Sequence, residues 1–257
     1  MADFKDMTES DQIKQLLSEG FNVEWLSNCG AIHLQKREFD TSIHFYSAAL
    51  SLAKILLDEK HPDIGIIYCN LGQVSYWQNR ASRDFDKATE FTTKALAILL
   101  ATLGENHPVT ASCYYNFANI ENDKGNHDFA IQLFSKALAI CRACGTPEMH
   151  DSTAAIYHHL GCIYFVKKKY EQALEYQTKA LVIRQAILGE NHPDTAECYS
   201  QLGGVYYHKF VESRCDLDSD KAIEFLTKAV TVRRATVGEM HPDAARAYNE
   251  LAIAYAG

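Results

Sequence analysis

The 257 residues predict an all-α fold, a right-handed solenoid of stacked antiparallel helix pairs, and three observations predict it. A phrase recurs: LGENHPVTA from Leu103, LGENHPDTA from Leu188, VGEMHPDAA from Val237 and a worn DEKHPDIG from Asp58. Between the phrases lie two stretches whose large apolar residues return every three or four positions, the stripe of an amphipathic helix. Small residues recur at fixed places in both stretches, as close helix contacts require. A chain that repeats itself at fixed spacing is a stacked array, because one such unit cannot bury its apolar face alone.

The junction histidines are His61, His107, His150, His192 and His241, with gaps of 46, 43, 42 and 49 residues. The extra residues of the long gaps, ASRDF around Ala81 and FVESRCDLDS from Phe210, fall between the two halves of a repeat, so the underlying unit is about 42 residues. The expected divisions are a polar segment or capping helix at 1–21, then helix pairs at 22–60, 61–106, 107–149, 150–191 and 192–240, then a single helix at 241–257.

The N-terminal segment offers Ile13, Leu16 and Leu17 as an apolar face. First halves read YCNLGQVSYW from Tyr68, YYNFANIEND from Tyr114, YHHLGCIYFV from Tyr157 and YSQLGGVYYH from Tyr199. Second halves read KATEFTTKALAI from Lys87, FAIQLFSKALAI from Phe129, EQALEYQTKALVI from Glu171 and KAIEFLTKAVTV from Lys221. Gly72, Ala118, Gly161, Gly203 and Ala252 mark one position of the first helix; Ala88, Ala130, Ala173 and Ala222, with Ala95, Ala137, Ala180 and Ala229, mark two of the second. Glycine inside a helix costs about 1 kcal/mol relative to alanine, so its return at one position has a packing reason. At the junctions, Leu-Gly ends one helix and His-Pro starts the next, with proline in a turn that needs no N–H and an acidic neighbour at the positive helix end. The last helix, with Leu251, Ile253 and Tyr255, either closes the array or continues into a longer protein.

These residues resemble the tetratricopeptide repeat, and the 42-residue period with its LGENHPDTA link is similar to the kinesin-light-chain type. The resemblance covers about 22–257 and implies a helix-turn-helix solenoid whose first helices line a concave wall. The paired asparagines of kinesin light chains are replaced here by Cys-Asn, Tyr-Asn, His-His, Ser-Gln and Asn-Glu, so only Asn70, Asn116 and Asn249 keep part of that pattern. The cations that would pin an acidic motif, and the lysine clamp for a C-terminal carboxylate, are scarce among the expected groove residues.

Composition narrows the function. A net charge of −8 argues against nucleic acid as a partner. No apolar run reaches bilayer length and the N-terminus is acidic, so no membrane insertion and a cytoplasmic location are expected. Lys167, Lys168 and Lys169 read as a solvated turn. Cys69, Cys113, Cys162 and Cys198 occupy packing positions. Cys141 and Cys144 with His150 and His158 have the wrong spacing for a zinc finger, and the junction histidines lie one repeat apart, so no metal is expected. No phosphate loop, dinucleotide fingerprint, HExxH or GxSxG is present, so neither catalysis nor a cofactor is expected.

Binding remains. The expected lining comprises Ser27, Asn28 and Ala31; Cys69, Asn70, Gln73, Tyr76 and Trp77; Tyr115, Asn116, Asn119 and Asn122; His158, His159, Cys162 and Phe165; Ser200, Gln201, Tyr207 and His208; then Arg246 and Asn249. Amides donate to and accept from peptide backbone together, and aromatic rings supply anchor area, so the expected ligand is a protein or peptide segment. The chain thus reads as a non-catalytic scaffold or adaptor; the alternative is the regulatory or substrate-recognition array of a larger signalling or enzymatic protein. Self-association through the terminal helices is a further expectation.

Overall fold

The structure, a computed structural model, describes residues 22–144, 150–239 and 241–256. The expected segment 1–21, with Ile13, Leu16 and Leu17, lies outside the described residues. Among them are eleven helices and no strand: α1 Val23–Gln35, α2 Phe39–Leu56, α3 Pro62–Asn79, α4 Asp86–Thr102, α5 Pro108–Asp123, α6 His127–Ala143, α7 Asp151–Val166, α8 Tyr170–Leu188, α9 Pro193–Ser213, α10 Asp216–Val237 and α11 Pro242–Ala256. They form two compact units, an N-terminal one to Cys144 holding α1–α6 and a C-terminal one from Gly145 holding α7–α11.

Within each unit, consecutive helices pair antiparallel. Gly65 near the start of α3 lies against Leu99 near the end of α4, while Gly72 lies against Ala88 and Thr92 near its start. Bare glycine is what permits the approach. A Cβ on Gly203 would sit 2.6 Å from Leu226 Cγ, and one on Gly161 would sit 2.7 Å from Gln177 Nε2. The recurring alanines face the same contacts: Ala88, Ala95, Ala130, Ala137, Ala173, Ala180, Ala222 and Ala229 are all buried.

The junction does more than stop one helix and start another. Gly104, Gly189 and Gly238 take φ of +82°, +85° and +87°, the left-handed side that releases the chain from the preceding helix. The histidine then caps the next helix. The N–H groups of Asp63, Val109, Ser152, Asp194 and Asp243 each donate to Nδ1 of the histidine two residues earlier at 3.2 Å. His150 does so without a following proline. Two junctions are also pinned by threonine: Thr110 Oγ1 donates to the Gly104 carbonyl at 2.9 Å and Thr195 Oγ1 to that of Gly189 at 2.8 Å. Ala244 holds the corresponding place in the last junction.

A second tie repeats inside the pairs. Lys94, Lys136, Lys179 and Lys228, from the KAL or KAV words of the second helices, stand over Tyr68, Tyr114, Tyr157 and Tyr199 of their partner helices at 5.8, 5.2, 5.7 and 6.0 Å from the ring centroid.

The two insertions behave differently. Arg80 to Phe85 form an added loop whose arginines reach the end of α5: Arg80 Nε donates to Asp123 Oδ2 at 2.8 Å and Arg83 Nη2 to the Asp123 carbonyl at 2.7 Å. The second insertion lengthens the helices on either side of it. Phe210–Ser213 extend α9 to 21 residues, and Asp216 opens α10, which runs to 22. Only Arg214, with φ of +56°, and Cys215 connect them. Apolar Phe210 is buried, so the inserted residues gain more from continuing a packed helix than from a loop.

Candidate functional site

In the N-terminal unit, the first-helix residues expected to line a groove do meet in an open cleft of about 580 Å³. Ser27, Asn28, Ala31, Leu34 and Gln35 of α1 form one wall and Ile66, Asn70, Gln73 and Trp77 of α3 the other, with Arg37, Phe39 and Tyr46 closing it. The spacing 66, 70, 73, 77 is one face of a helix, so α3 presents these four together. Asn70 and Gln73 are half-buried and Trp77 is 39% exposed. Among the described residues the amides of Asn28, Asn70 and Gln73 have no hydrogen-bond partner, while Arg80 lies over the Trp77 ring at 5.2 Å.

Other expected lining residues of this unit are committed to structure. Tyr76 is 6% exposed, points inward, stacks on Phe85 and donates its hydroxyl to Asp123 Oδ2 at 2.8 Å. Burial and that carboxylate together raise its phenol above the usual range. Tyr115 packs edge-on against Phe134. Asn122 Oδ1 lies 3.2 Å from His127 Nδ1, which fixes the turn into α6. Asn116 Nδ2 donates to Cys69 Sγ at 3.5 Å, tying α5 to α3. Asn119 is half-buried with an uncommitted amide.

The C-terminal unit is built otherwise. Here His158 and Cys162 of α7 belong to a polar network with α8 and α9. Gln177 Oε1 lies 3.3 Å from His158 Nδ1, and Gln177 Nε2 donates to the His158 carbonyl at 3.2 Å and to Cys162 Sγ at 3.4 Å. Cys162 donates to Gln201 Oε1 at 3.8 Å, and Gln201 Nε2 to Glu197 Oε1 at 2.8 Å. Arg233 and Arg246 both donate to Glu197 Oε2, the latter at 3.2 Å. Burial first, and then the Arg184 cation, hold the His158 imidazole below the usual histidine range, while Glu197, Gln177 and Asp194 pull the other way. Burial pushes the Cys162 thiol up to about 12.

Phe165 packs against His208 with centroids 5.1 Å apart, and Tyr207 meets His208 at 5.6 Å. His159 stands beside His158 at 5.5 Å. Ser200 is buried, and Asn249 is exposed on α11. Beyond Arg246, the second helices supply two buried cations that the expected lining did not include. Arg184 and Arg233 were missed because arginine on an amphipathic helix reads as solvent-facing. Aligning ALAILL, ALAICR, ALVIRQ and AVTVRR on their first alanine would have found them at the place of Leu99.

Among the described residues, no group of three or more histidine, cysteine, aspartate or glutamate side chains is arranged to hold an ion. No helix there is long and apolar enough to cross a membrane. All eight cysteines are free thiols.

The comparisons with known proteins agree with this architecture. A tetratricopeptide repeat family model matches residues 78–143 and 152–210. No curated protein matches the chain significantly in sequence. Among solved structures, BtubC (BKLC) from P. vanneervenii aligns with a TM-score of 0.68 at 24% identity, over 92% of this chain and 95% of that one. A putative kinesin light chain from Podosopora anserina, with nearly identical tetratricopeptide-like repeats, aligns at 0.63 and 19% identity, over 88% and 97%. The signal transduction ATPase PH0952 from Pyrococcus horikoshii, which has a tetratricopeptide repeat sensor, aligns at 0.72 and 20% identity, over 95% of this chain and 34% of that one. Residues 78–143 and 152–210 thus match tetratricopeptide repeats, and the fold is that of tetratricopeptide repeat proteins, kinesin-light-chain-like ones among them.

Proposed function

We propose that this protein is a non-catalytic adaptor that holds a segment of a partner protein against the first helices of its repeats. The observation that carries the reading is the cleft between α1 and α3, where exposed Asn28 and half-buried Asn70 and Gln73 have no hydrogen-bond partner among the described residues, beside an exposed Trp77. Such a wall can bond an extended backbone in either hydrogen-bonding sense and give one apolar side chain a surface to rest on. Eight free thiols suit a reducing compartment such as the cytoplasm.

The test is capture of partners from lysate by the wild type and by the Asn28→Ala, Asn70→Ala, Gln73→Ala triple variant, with mass spectrometry of each set. Because none of the three amides bonds to another of the described residues, stability should stay within about 1 kcal/mol of wild type. A distinct set of partners should be lost; identical sets would overturn the reading. The likeness to the sensor region of PH0952 favours a second reading, a recognition array within a larger signalling protein. In that case the same cleft would bind a regulatory segment.

A further inference from the structure

We propose that His158 and Cys162 of α7, in the C-terminal unit, form a binding site for a soft monovalent metal ion, copper(I). The two residues are four positions apart on one helix, so both side chains leave it on the same face. His158 Nε2 lies 3.7 Å from Cys162 Sγ. The pair belongs to this repeat: the corresponding positions of the others hold Cys69 and Gln73, Tyr115 and Asn119, Ser200 and Gly204, and Asn249 and Ile253. Both donors are half-buried, so an ion reaches them without unfolding the repeat.

One interior glutamine orients both donors. Gln177 of α8 is 0% exposed and faces Gly161, at the place that Thr92, Phe134 and Leu226 take in the other pairs. Its Nε2 donates to the His158 carbonyl at 3.2 Å, and a carbonyl can only accept, so the orientation of the amide is fixed. Oε1 then stands 3.3 Å from His158 Nδ1 and accepts the ring proton there. His158 Nε2 is left as a bare lone pair beside the sulfur, the way metal-binding histidines are held by a neighbour on their far nitrogen. Gln177 Nε2 also reaches Cys162 Sγ at 3.4 Å, where it supports a thiolate. Leu226 closes the same contact against Gly203 with no polar group, so packing alone does not ask for this amide.

Distance and charge choose the ion. Bonds of about 2.3 Å to sulfur and about 2.0 Å to an imidazole nitrogen span the observed 3.7 Å with an angle of about 120° at the metal. That angle belongs to a three-coordinate centre, and Gln201 Oε1, 3.8 Å from the sulfur, borders the third position. Two side-chain donors are half of what structural zinc takes, whereas thiolate and imidazole are the soft and intermediate ligands that suit copper(I). On binding, the Cys162 S–H bond breaks, a sulfur–copper bond forms and the proton leaves to water. One positive charge replaces another. A divalent ion would add a charge in a half-buried place that already feels the Arg184 cation, at the cost that burial puts on unanswered charge.

The test uses the full chain carrying Cys144→Ser and Cys215→Ser, which removes the two exposed thiols. Copper(I) is supplied without oxygen as its bicinchoninate complex, and nitrogen NMR of the histidine rings follows the addition. The protein should take the first equivalent from the chelator, and the Nε2 signal of His158 should move far more than its Nδ1 signal while the junction histidines stay put. Added Cys162→Ser or His158→Gln should each weaken retention at least about tenfold. Should either variant misfold, the Nε2 signature in the chain that keeps both donors decides alone. A first equivalent that leaves His158 unmoved, retention unchanged in either variant, or a response to zinc(II) as large as that to copper(I) would overturn the proposal. The site shares no residue with the cleft between α1 and α3, so copper retention and partner capture stand or fall separately.

Discussion

The two units share one frame and differ in what the frame encloses. In both, antiparallel helices close on a glycine or alanine, a lysine of the second helix covers a tyrosine of the first, and a histidine caps the helix that follows each junction. The N-terminal unit fills the space behind its first helices with Leu52, Ile64, Leu71 and Leu99. Behind α7 and α9, the C-terminal unit places Gln177, Arg184 and Arg233. Repeat geometry decides where a side chain goes, and the residue type then decides whether that interior is apolar or polar. The difference also explains why free amides face the cleft of the first unit, whereas the corresponding groups of the second, such as Gln201 and His158, are bound to their own network.

The sharpest way to break this comparison is to exchange the character of the interior position. Leu99→Arg places a guanidinium next to Cys113, as Arg184 stands next to Cys198, but Ser112 occupies the place that Glu197 holds in α9. The aliphatic core around Leu99 also lacks the polar network that lies near Arg184, so the variant should lose about 4 kcal/mol in denaturant unfolding. A loss below about 1 kcal/mol would show that the N-terminal unit tolerates an unanswered charge, and the contrast between the units would lose its energetic meaning.

The next largest effect tests what the units have in common. Gly203→Leu should cost about 2 kcal/mol, because a branched side chain would collide with Leu226 and force α9 from α10, and Gly72→Leu should cost as much against Thr92 and Ala88. Its neighbour gives the control: Gly204 has open space beyond its Cα, so Gly204→Ala should raise stability by about 0.5–1 kcal/mol through helix propensity. Equal effects at the two adjacent glycines, read by thermal melting, would remove close helix approach as the reason for the recurring small residue.

How much of this was legible follows from the same distinction. The helix pairs were legible because apolar period, small residues and the LGENHPDTA link all point one way, and local and global preferences agree. Six residues of the first cleft, Ser27, Asn28, Ala31, Asn70, Gln73 and Trp77, were legible because three share a face of α1 and three a face of α3. Tyr76 was not, since its burial depends on Asp123 reaching across from α5. The capping role of the junction histidines was hidden behind the proline, whose place in the first turn already accounted for the motif. Arg184 and Arg233 were hidden because residue type was allowed to overrule position; in a repeat, position is the stronger guide.

The smallest expected effect is a difference in acid response between the units. His158 and Cys69 hold corresponding positions one after Tyr157 and Tyr68, so only the C-terminal unit has an imidazole there. Burial and Arg184 lower the folded pKa of His158 below its unfolded value of about 6.5. The unfolded chain therefore binds this proton first. The stability that neutral His158 contributes is complete above the unfolded pKa, and declines as pH falls from there toward the folded pKa, by at most about 1.4 kcal/mol per pH unit. Hydrogen exchange followed between pH 7.5 and 5 should show amides of α7–α9 losing protection ahead of those in α3–α5. His158→Gln should abolish that lead, since glutamine keeps a polar group beside Gln177 without a proton to gain. A lead that survives the substitution would assign the acid response to another group and leave the network of the C-terminal unit as indifferent to pH as the apolar core of its neighbour.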